Sequence, residues 1–370
     1  MRNRVGWRYA RCMDSSSDSP NLDFLRSVAV ALVLSSHLIF QLGFRKFGGI
    51  GRSGVLLFFV HTSLVLMFSL ERLNSKSLHV AIPFCIQRLF RIAPLCWFCI
   101  VVVLLFHIPS SPDWSPTYRW EGWQWVVNNL LLVQNFTLTS LVSGPLWSLS
   151  YEVQMYLTLP FIYRVASGKN AFSWISAIWL GAAVATSALS RLYGGLFGDY
   201  DHDSVHPVLT YFVPCFLAGV FAFILSKRWP ANLSFWLLPP ALVGFVFSIH
   251  KFPIRHTDWI VCTAIGFLLP RLTELRSEFF RRVFHSVAKY SYGIYLSHAP
   301  LLWFVFGYFS GLPLFLRISV FLGLVGVVSV ACYRWIEKPM IDVGRSLARR
   351  LATPKLEGAR DLELAHKARA

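Results

Sequence analysis

The chain is 370 residues long, and 55% of its residues are hydrophobic while only 14% are charged. Together with a mean hydropathy of +0.53, this composition indicates a membrane protein and excludes two or three ordinary soluble domains. The formal net charge of +17 raises nucleic acid as a partner. The distribution of the basic residues along the chain distinguishes nucleic-acid binding from membrane topology as the reason for this charge.

Apolar runs of about 20 residues predict an all-α polytopic fold with about ten transmembrane helices. The runs lie at 24–44, 53–70, 89–107, 146–166, 172–190, 208–226, 234–249, 257–270, 290–309 and 314–336. When both termini are placed in the cytoplasm, most Lys and Arg residues fall on the inner loops, as the positive-inside rule requires. The positive charge therefore reports topology, and we expect the lipid bilayer rather than nucleic acid as the partner.

The chain divides into three segments. Residues 1–20 are predicted to be a polar cytoplasmic tail without a signal-peptide cleavage site, with Met13 as an alternative start. Residues 21–345 are predicted to be one transmembrane domain, and residues 346–370 a charged, disordered cytoplasmic tail. The seven cysteines include one C-x-x-C inside an apolar run, which predicts neither a disulfide framework nor a metal site.

The first span, NLDFLRSVAVALVLSSHL, carries Asp23, Arg26 and His37. Arg26 and His37 are eleven residues apart, which is three helical turns plus about 20°, so they share one face. An ionisable side chain at mid-bilayer depth costs about 2.5 to 3.5 kcal/mol, so it needs a partner, water or a function. This helix face is the first candidate site.

Two further spans carry polar residues whose role the sequence leaves open. In RLFRIAP, Arg88 and Arg91 share a face, where they either clamp phosphate groups or anchor the topology. In the second span, His61 is either catalytic or bonded to a neighbouring carbonyl.

The span that begins LWSLSYEVQMY has the most polar start in the chain. Ser148, Glu152 and Tyr156 step by four along one face, beside Trp147 and Gln154. Such a cluster is either a structural hydrogen-bond network or a proton-handling site. The Trp-rich segment before it predicts an interfacial helix at 126–133.

Four stretches together resemble the acyltransferase 3 family of bacterial integral-membrane O-acyltransferases: LDFLRSVAVALVLSSH, GVLLFFV, RLFRIAP and LWSLSYEVQMY. YSYGIYLSHAPL and YRWIEKP add weaker support, and the similarity runs from about Asn21 to Arg345. The resemblance implies transfer of an acyl group, usually acetyl from acetyl-CoA, to a hydroxyl. The implied acceptor is a polysaccharide, lipopolysaccharide or other cell-envelope glycan or glycolipid at the bacterial inner (plasma) membrane.

The resemblance also assigns residues. The family's essential His and Arg correspond to His37 and Arg26, and its donor-linked R-x-x-R corresponds to Arg88 and Arg91. The family's W-S-L-S-x-E-x-Q-x-Y pattern corresponds to Trp147, Ser148, Glu152, Gln154 and Tyr156. Its late Glu-x-Pro corresponds to Glu337 and Pro339. The implied catalytic residues are thus His37, Glu337 and Arg26. The implied donor-binding residues are Arg88 and Arg91, and no metal is implied.

The second span departs from the family pattern. Leu56 stands where an Asp is usual, and His61, Thr62 and Ser63 stand where an apolar residue, Ser and Gly are expected. If that Gly lets the donor approach closely, Ser63 narrows the site.

The mechanistic hypothesis places CoA on Arg88 and Arg91 and the chemistry on a neutral His37, which accepts the acceptor's proton or carries the acyl group itself. Arg26 would pair with Asp23 or Glu337. Two rivals remain, a secondary transporter and a catalytically inactive scaffold. The transporter is disfavoured because no second copy of the Arg-to-His helix occurs, whereas transporters commonly have two related halves.

Overall fold

The computed structural model describes residues 19–44, 49–73, 81–110, 117–192, 209–252 and 254–351. Within these ranges the chain is helical and has no strand, and a single parallel bridge joins Leu233 to Leu272. The all-α prediction is confirmed. The predicted tails lie outside the described residues, except that residues 19–20 are described and residues 346–351 are helical.

The helices of the described residues follow one another in this order: α1 (Pro20–Gln41), α2 (Gly49–Arg72), α3 (Ala81–Leu105), α4 (Trp123–Leu130), α5 (Gln134–Thr137), α6 (Leu146–Ala166), α7 (Ala171–Leu192), α8 (Val213–Ser226), α9 (Leu238–Lys251), α10 (Arg255–Leu268), α11 (Glu278–Tyr308) and α12 (Leu314–Cys332). Short 3₁₀ turns lie at Leu209–Tyr211, Phe235–Leu237 and Leu269–Arg271. A π-helical turn, Tyr333–Glu337, follows α12, and the helix then continues over 338–351.

A helix overlaps each of the ten predicted spans. Five helices in the described part of the chain are long and apolar enough to cross a membrane: α1, α2, α3, α7 and the continuous helix Leu314–Leu351. Shorter apolar helices lie at Val213–Ser226 and Phe235–Lys251. The chain is therefore a multi-pass membrane protein. The number of crossings and the side of the termini stay predictions.

Helix α2 is central to the bundle, because 78% of its apolar stretch is buried inside the protein. Glycines at its contacts with α1 and α8 let the helix backbones approach closely. A Cβ on Gly54 would lie 2.4 Å from the carbonyl oxygen of Ala29 in α1. A Cβ on Gly219 in α8 would lie 2.3 Å from the carbonyl oxygen of Val60. Such close approach lets helices pack where lipid offers no hydrophobic driving force for association.

Polar contacts fix the start of α1. The side-chain amide of Asn21 donates to the carbonyl of Thr273 (3.1 Å) and accepts from the backbone N–H of Leu275 (3.0 Å). The hydroxyl of Ser19 donates to Glu274 (2.7 Å). Because these bonds reach the segment just before α11, they set the depth of α1 relative to that helix.

The Trp-rich segment folds back onto the start of α6. Helix α4 occupies most of the predicted interfacial stretch. The amides of Asn135 and Gln154 bond reciprocally, at 2.9 and 3.3 Å. The side chain of Asn129 donates to Ser140 (3.0 Å) and accepts from the N–H of Val142 (3.0 Å). This polar network holds the polar start of α6 in place.

Candidate active site

Helices α1, α2, α3, α6 and α11 and the segment after α12 enclose a cavity of about 650 Å³. Its described lining is strongly basic. Seven of its side chains are Lys or Arg: Arg26, Arg72, Arg88, Arg91, Lys289, Lys338 and Arg345. Three are acidic: Asp23, Glu152 and Asp342. A cleft lined mainly by one sign of charge in low-dielectric surroundings concentrates ligands of the opposite sign. The cavity therefore suits an anion.

Arg26 is held by α11. Its Nε donates to the hydroxyl of Ser291 at 2.5 Å, and that hydroxyl donates to the carbonyl of Ala288 at 2.8 Å. Asp23, one turn earlier, lies 3.0 Å from Nδ1 of His285. Both residues line the cavity. Arg26 is thus fixed by packing between two helices, with its charge at the cavity wall.

Glu337 lies in the π-helical turn and is 2% exposed. Arg91 and Arg26 interact with it electrostatically, and its Oε1 has no hydrogen-bond partner within the described part of the chain. The structure therefore brings Glu337 toward the two arginines. It lies behind the cavity wall, since it is not among the described lining residues.

Arg88 and Arg91, which the sequence predicts to share a helix face, both line the cavity. Arg88 donates from Nη2 to Ser69 (3.1 Å), and its guanidinium carbon lies 5.5 Å from the ring centre of Phe84. Its Nε is buried without a partner among the described residues. A guanidinium with an unused N–H is suited to hold a phosphate oxygen.

The polar residues of α6 divide into two groups. Ser148, Glu152 and Tyr156 line the cavity, and the Tyr156 hydroxyl donates to Glu152. Among the residues described, Trp147 and Gln154 are not part of the lining. The ring centre of Trp147 lies 5.7 Å from that of Phe212, and Gln154 pairs with Asn135.

The cavity ends at Tyr295 and Ser148, whose hydroxyls lie 2.7 Å apart. The Tyr295 hydroxyl also donates to the carbonyl of Pro145 at 3.1 Å. Helix α11 is thereby tied to the start of α6. We call this pair the floor of the cavity.

His37 lies beyond the floor and is not among the described lining residues of the cavity. It is half-buried, and its ring centre lies 4.9 Å from that of His298 in α11. The ring centre of His298 lies 6.0 Å from that of Tyr295. Arg26 and His37 therefore belong to different parts of the molecule, separated along α1 by about 16 Å.

Of the four departures in α2, Leu56, His61 and Ser63 have different surroundings. Leu56 is fully buried in the core. Ser63 donates to the carbonyls of Phe59 (2.9 Å) and Val60 (3.1 Å) and packs against Gly219 of α8. Ser63 does not border the described cavity, so the expected narrowing of the site is not found there. His61 does line the cavity, and its Nδ1 is buried without a described partner.

The largest part of the site that sequence reasoning missed is on α11. His285, Lys289, Ser291, Tyr292 and Tyr295 all line the cavity. The available signal was a polar stripe at spacings of three and four, from His285 through Lys289, Tyr292 and Tyr295 to His298. Across the described ranges, no group of three or more His, Cys, Asp or Glu side chains is placed to hold a metal ion.

The fold and site define a multi-pass helical membrane protein with a basic cavity. The chain belongs to the acyltransferase 3 family, because that family's model, an acyltransferase domain, matches residues 19–334. The resemblance in the motifs is thus confirmed.

Two relatives illustrate the similarity. O-acetyltransferase OatA of Staphylococcus aureus (strain NCTC 8325 / PS 47) is 26% identical over 361 residues, covering 88% of this chain and 57% of the relative. Peptidoglycan O-acetyltransferase OatA of Listeria monocytogenes is 24% identical over 318 residues, covering 76% of this chain and 49% of the relative. The chain thus spans about half the length of these relatives. No solved structure matches it.

Proposed function

We propose that the chain is a membrane-bound O-acetyltransferase that moves an acetyl group from acetyl-CoA to a hydroxyl of a cell-envelope glycan. The observation that carries the proposal is the basic cavity with Arg88 and Arg91 in its wall, inside a chain of this family. The relatives support the same chemistry, since both are named O-acetyltransferases and one is named for peptidoglycan.

The donor's phosphates are assigned to the basic wall. Arg88 and Arg91 contribute the rigid guanidinium donors, and Arg72, Lys289 and Arg345 add positive charge around them. Glu152 and Tyr156, bonded to each other, lie in the same wall. With both termini in the cytoplasm and about ten crossings of the bacterial inner membrane, this cavity opens to cytosolic acetyl-CoA.

Acetyl transfer forms a C–O bond to the acceptor and breaks the C–S bond of the thioester. His37 takes the proton of the acceptor hydroxyl, or first carries the acetyl group itself, and the CoA sulfur leaves with a proton. Arg26 is too far along α1 to act at the same atoms, so it binds the donor or holds the wall. Glu337 orients Arg91 and Arg26 from behind.

The thioester has to pass the floor to reach His37. The Ser148–Tyr295 hydrogen bond closes the cavity on that side, so it opens or shifts when the donor is bound. The acceptor then meets His37 from the side opposite the floor.

The proposal is tested with radiolabelled acetyl-CoA added to inverted membrane vesicles. Label entering the glycan or lipid-linked fraction in wild type supports an enzyme. Solute movement without transfer of label would identify a transporter. The absence of both label transfer and solute movement would identify a scaffold. His37→Ala is expected to abolish the transfer, while the control His256→Ala, at an exposed histidine, retains it. Unchanged transfer in His37→Ala would rule out the role of His37.

A further inference from the structure

His298 has one satisfied nitrogen and one unsatisfied nitrogen. The residue is 1% exposed. Its Nδ1 lies 2.6 Å from the carbonyl oxygen of Tyr295. Because a carbonyl only accepts, Nδ1 is the donor and Nε2 carries the lone pair. Nε2 is buried and has no hydrogen-bond partner among the residues described. A buried acceptor without a donor is uncommon and calls for an explanation.

The nearest described ring to this imidazole is that of His37. The two ring centres are 4.9 Å apart and the ring planes are inclined by 52°. The other aromatic neighbour, Tyr295, holds the floor through Ser148 and Pro145. His298 therefore lies between the floor and His37, fixed on one side by backbone and presenting an unused acceptor.

We propose that His298 is a positioning residue for His37: its Nε2 accepts the N–H of His37 when His37 takes up a proton. This inference rests on the proposed acetyl transfer and deepens it. Hydrogen bonds between catalytic groups are often long without substrate and tighten in the substrate complex, so the present contact distance is compatible with the role. A base oriented by a third group is a recurring arrangement in acyl transfer.

The proton balance assigns each nitrogen of His37 a task. One nitrogen takes the proton of the acceptor hydroxyl as the C–O bond forms, and returns it to the CoA sulfur as the C–S bond breaks. The other nitrogen keeps its N–H throughout and donates it to Nε2 of His298. His298 itself neither gains nor loses a proton, because its own N–H stays on the Tyr295 carbonyl.

Two substitutions separate the two nitrogens of His298. His298→Gln keeps an oxygen acceptor near the position of Nε2. His298→Asn keeps only a donor near the position of Nδ1. Rates per folded protein, checked by size exclusion in detergent, are measured with radiolabelled acetyl-CoA and the glycan of inverted vesicles. We expect His298→Asn to lower kcat at least about 10-fold at unchanged KM for acetyl-CoA, and by no more than the roughly 100- to 10,000-fold that a general base contributes. We expect His298→Gln to recover most of that loss.

Three outcomes would overturn the inference. These are wild-type kcat in His298→Asn, an equal loss in both folded variants, or a loss that appears in KM alone. Should His298→Asn not accumulate, His298→Gln decides, since a folded His298→Gln with kcat at least about 10-fold below wild type contradicts the role of the acceptor atom. The proposed function fails separately, when wild type transfers no label or when His37→Ala transfers it at the wild-type rate.

Discussion

The basic cavity and the His37–His298 pair differ in the number of side chains that form them. The cavity presents seven basic side chains from five elements, and several of them are partly exposed. The pair consists of two imidazoles in contact beyond the floor. When many basic side chains bind the same anion, the loss of one lowers the affinity only in part. When a single side chain carries out a chemical step, its loss stops the reaction. Changes in the cavity should therefore act on donor binding, and changes at the pair on the rate of chemistry.

The largest effect on the binding side is expected from Arg88→Gln combined with Arg91→Gln. Charged hydrogen bonds contribute about 1.5 to 3 kcal/mol each, so KM for acetyl-CoA should rise about 100-fold or more. The value of kcat at saturating donor should change much less. A loss confined to kcat would contradict the assignment of these arginines to the donor site. Arg164→Gln, at an exposed position outside the described cavity, is the control.

Gln154→Ala tests the division of the α6 motif into site and scaffold. The change leaves the buried amide of Asn135 without its partner. The free energy of unfolding should fall by about 1 to 3 kcal/mol, measured by thermal or denaturant unfolding in detergent. The folded variant should keep wild-type kcat and KM. A folded, stable and inactive Gln154→Ala would place this residue in the site.

His61→Leu asks whether the imidazole in the cavity wall, rather than His37, is the base. We expect KM for acetyl-CoA to change by about 2- to 10-fold, the effect of one polar contact, with kcat retained. The matched comparison is His37→Ala measured in the same vesicles. Loss of kcat in His61→Leu, with activity retained in His37→Ala, would reverse the roles of the two regions.

The smallest effect is expected from Arg345→Gln at the edge of the cavity. The Arg345 side chain is 57% exposed, and its Nη1 lies 3.6 Å from Oδ1 of Asp342. An exposed ion pair is worth about 0 to 1 kcal/mol, so KM should change less than about 5-fold, and the change should shrink at high salt. A change as large as that of the Arg88 and Arg91 variant would show that charge is not shared around the cavity.

The positions of the long helices were predictable because apolar run length and helix length are set by the same bilayer. Arg88 and Arg91 could be placed on one helix face because a spacing of three is a local property of a helix. The separation of His37 from the cavity could not be predicted in this way. Arg26 and His37 share a face, but the floor between them is formed by residues of α6 and α11, far away in the chain.

The role of Ser63 shows the same limit. Comparison with the family motif shows that Ser63 replaces a Gly, but it does not show which neighbouring residue the Ser63 side chain contacts. Ser63 returns its hydroxyl to its own helix and faces α8, whereas His61, two residues earlier, lines the cavity. Helix rotation, set by close packing at Gly54 and Gly219, decides between these surroundings.

Binding of CoA to purified protein in detergent, followed by isothermal titration calorimetry, tests the separation of the two regions most directly. His37→Ala is expected to bind CoA as wild type does, while Arg88→Gln with Arg91→Gln binds it about 100-fold more weakly. Weak binding in His37→Ala together with wild-type binding in the double arginine variant would contradict a donor site in the basic cavity.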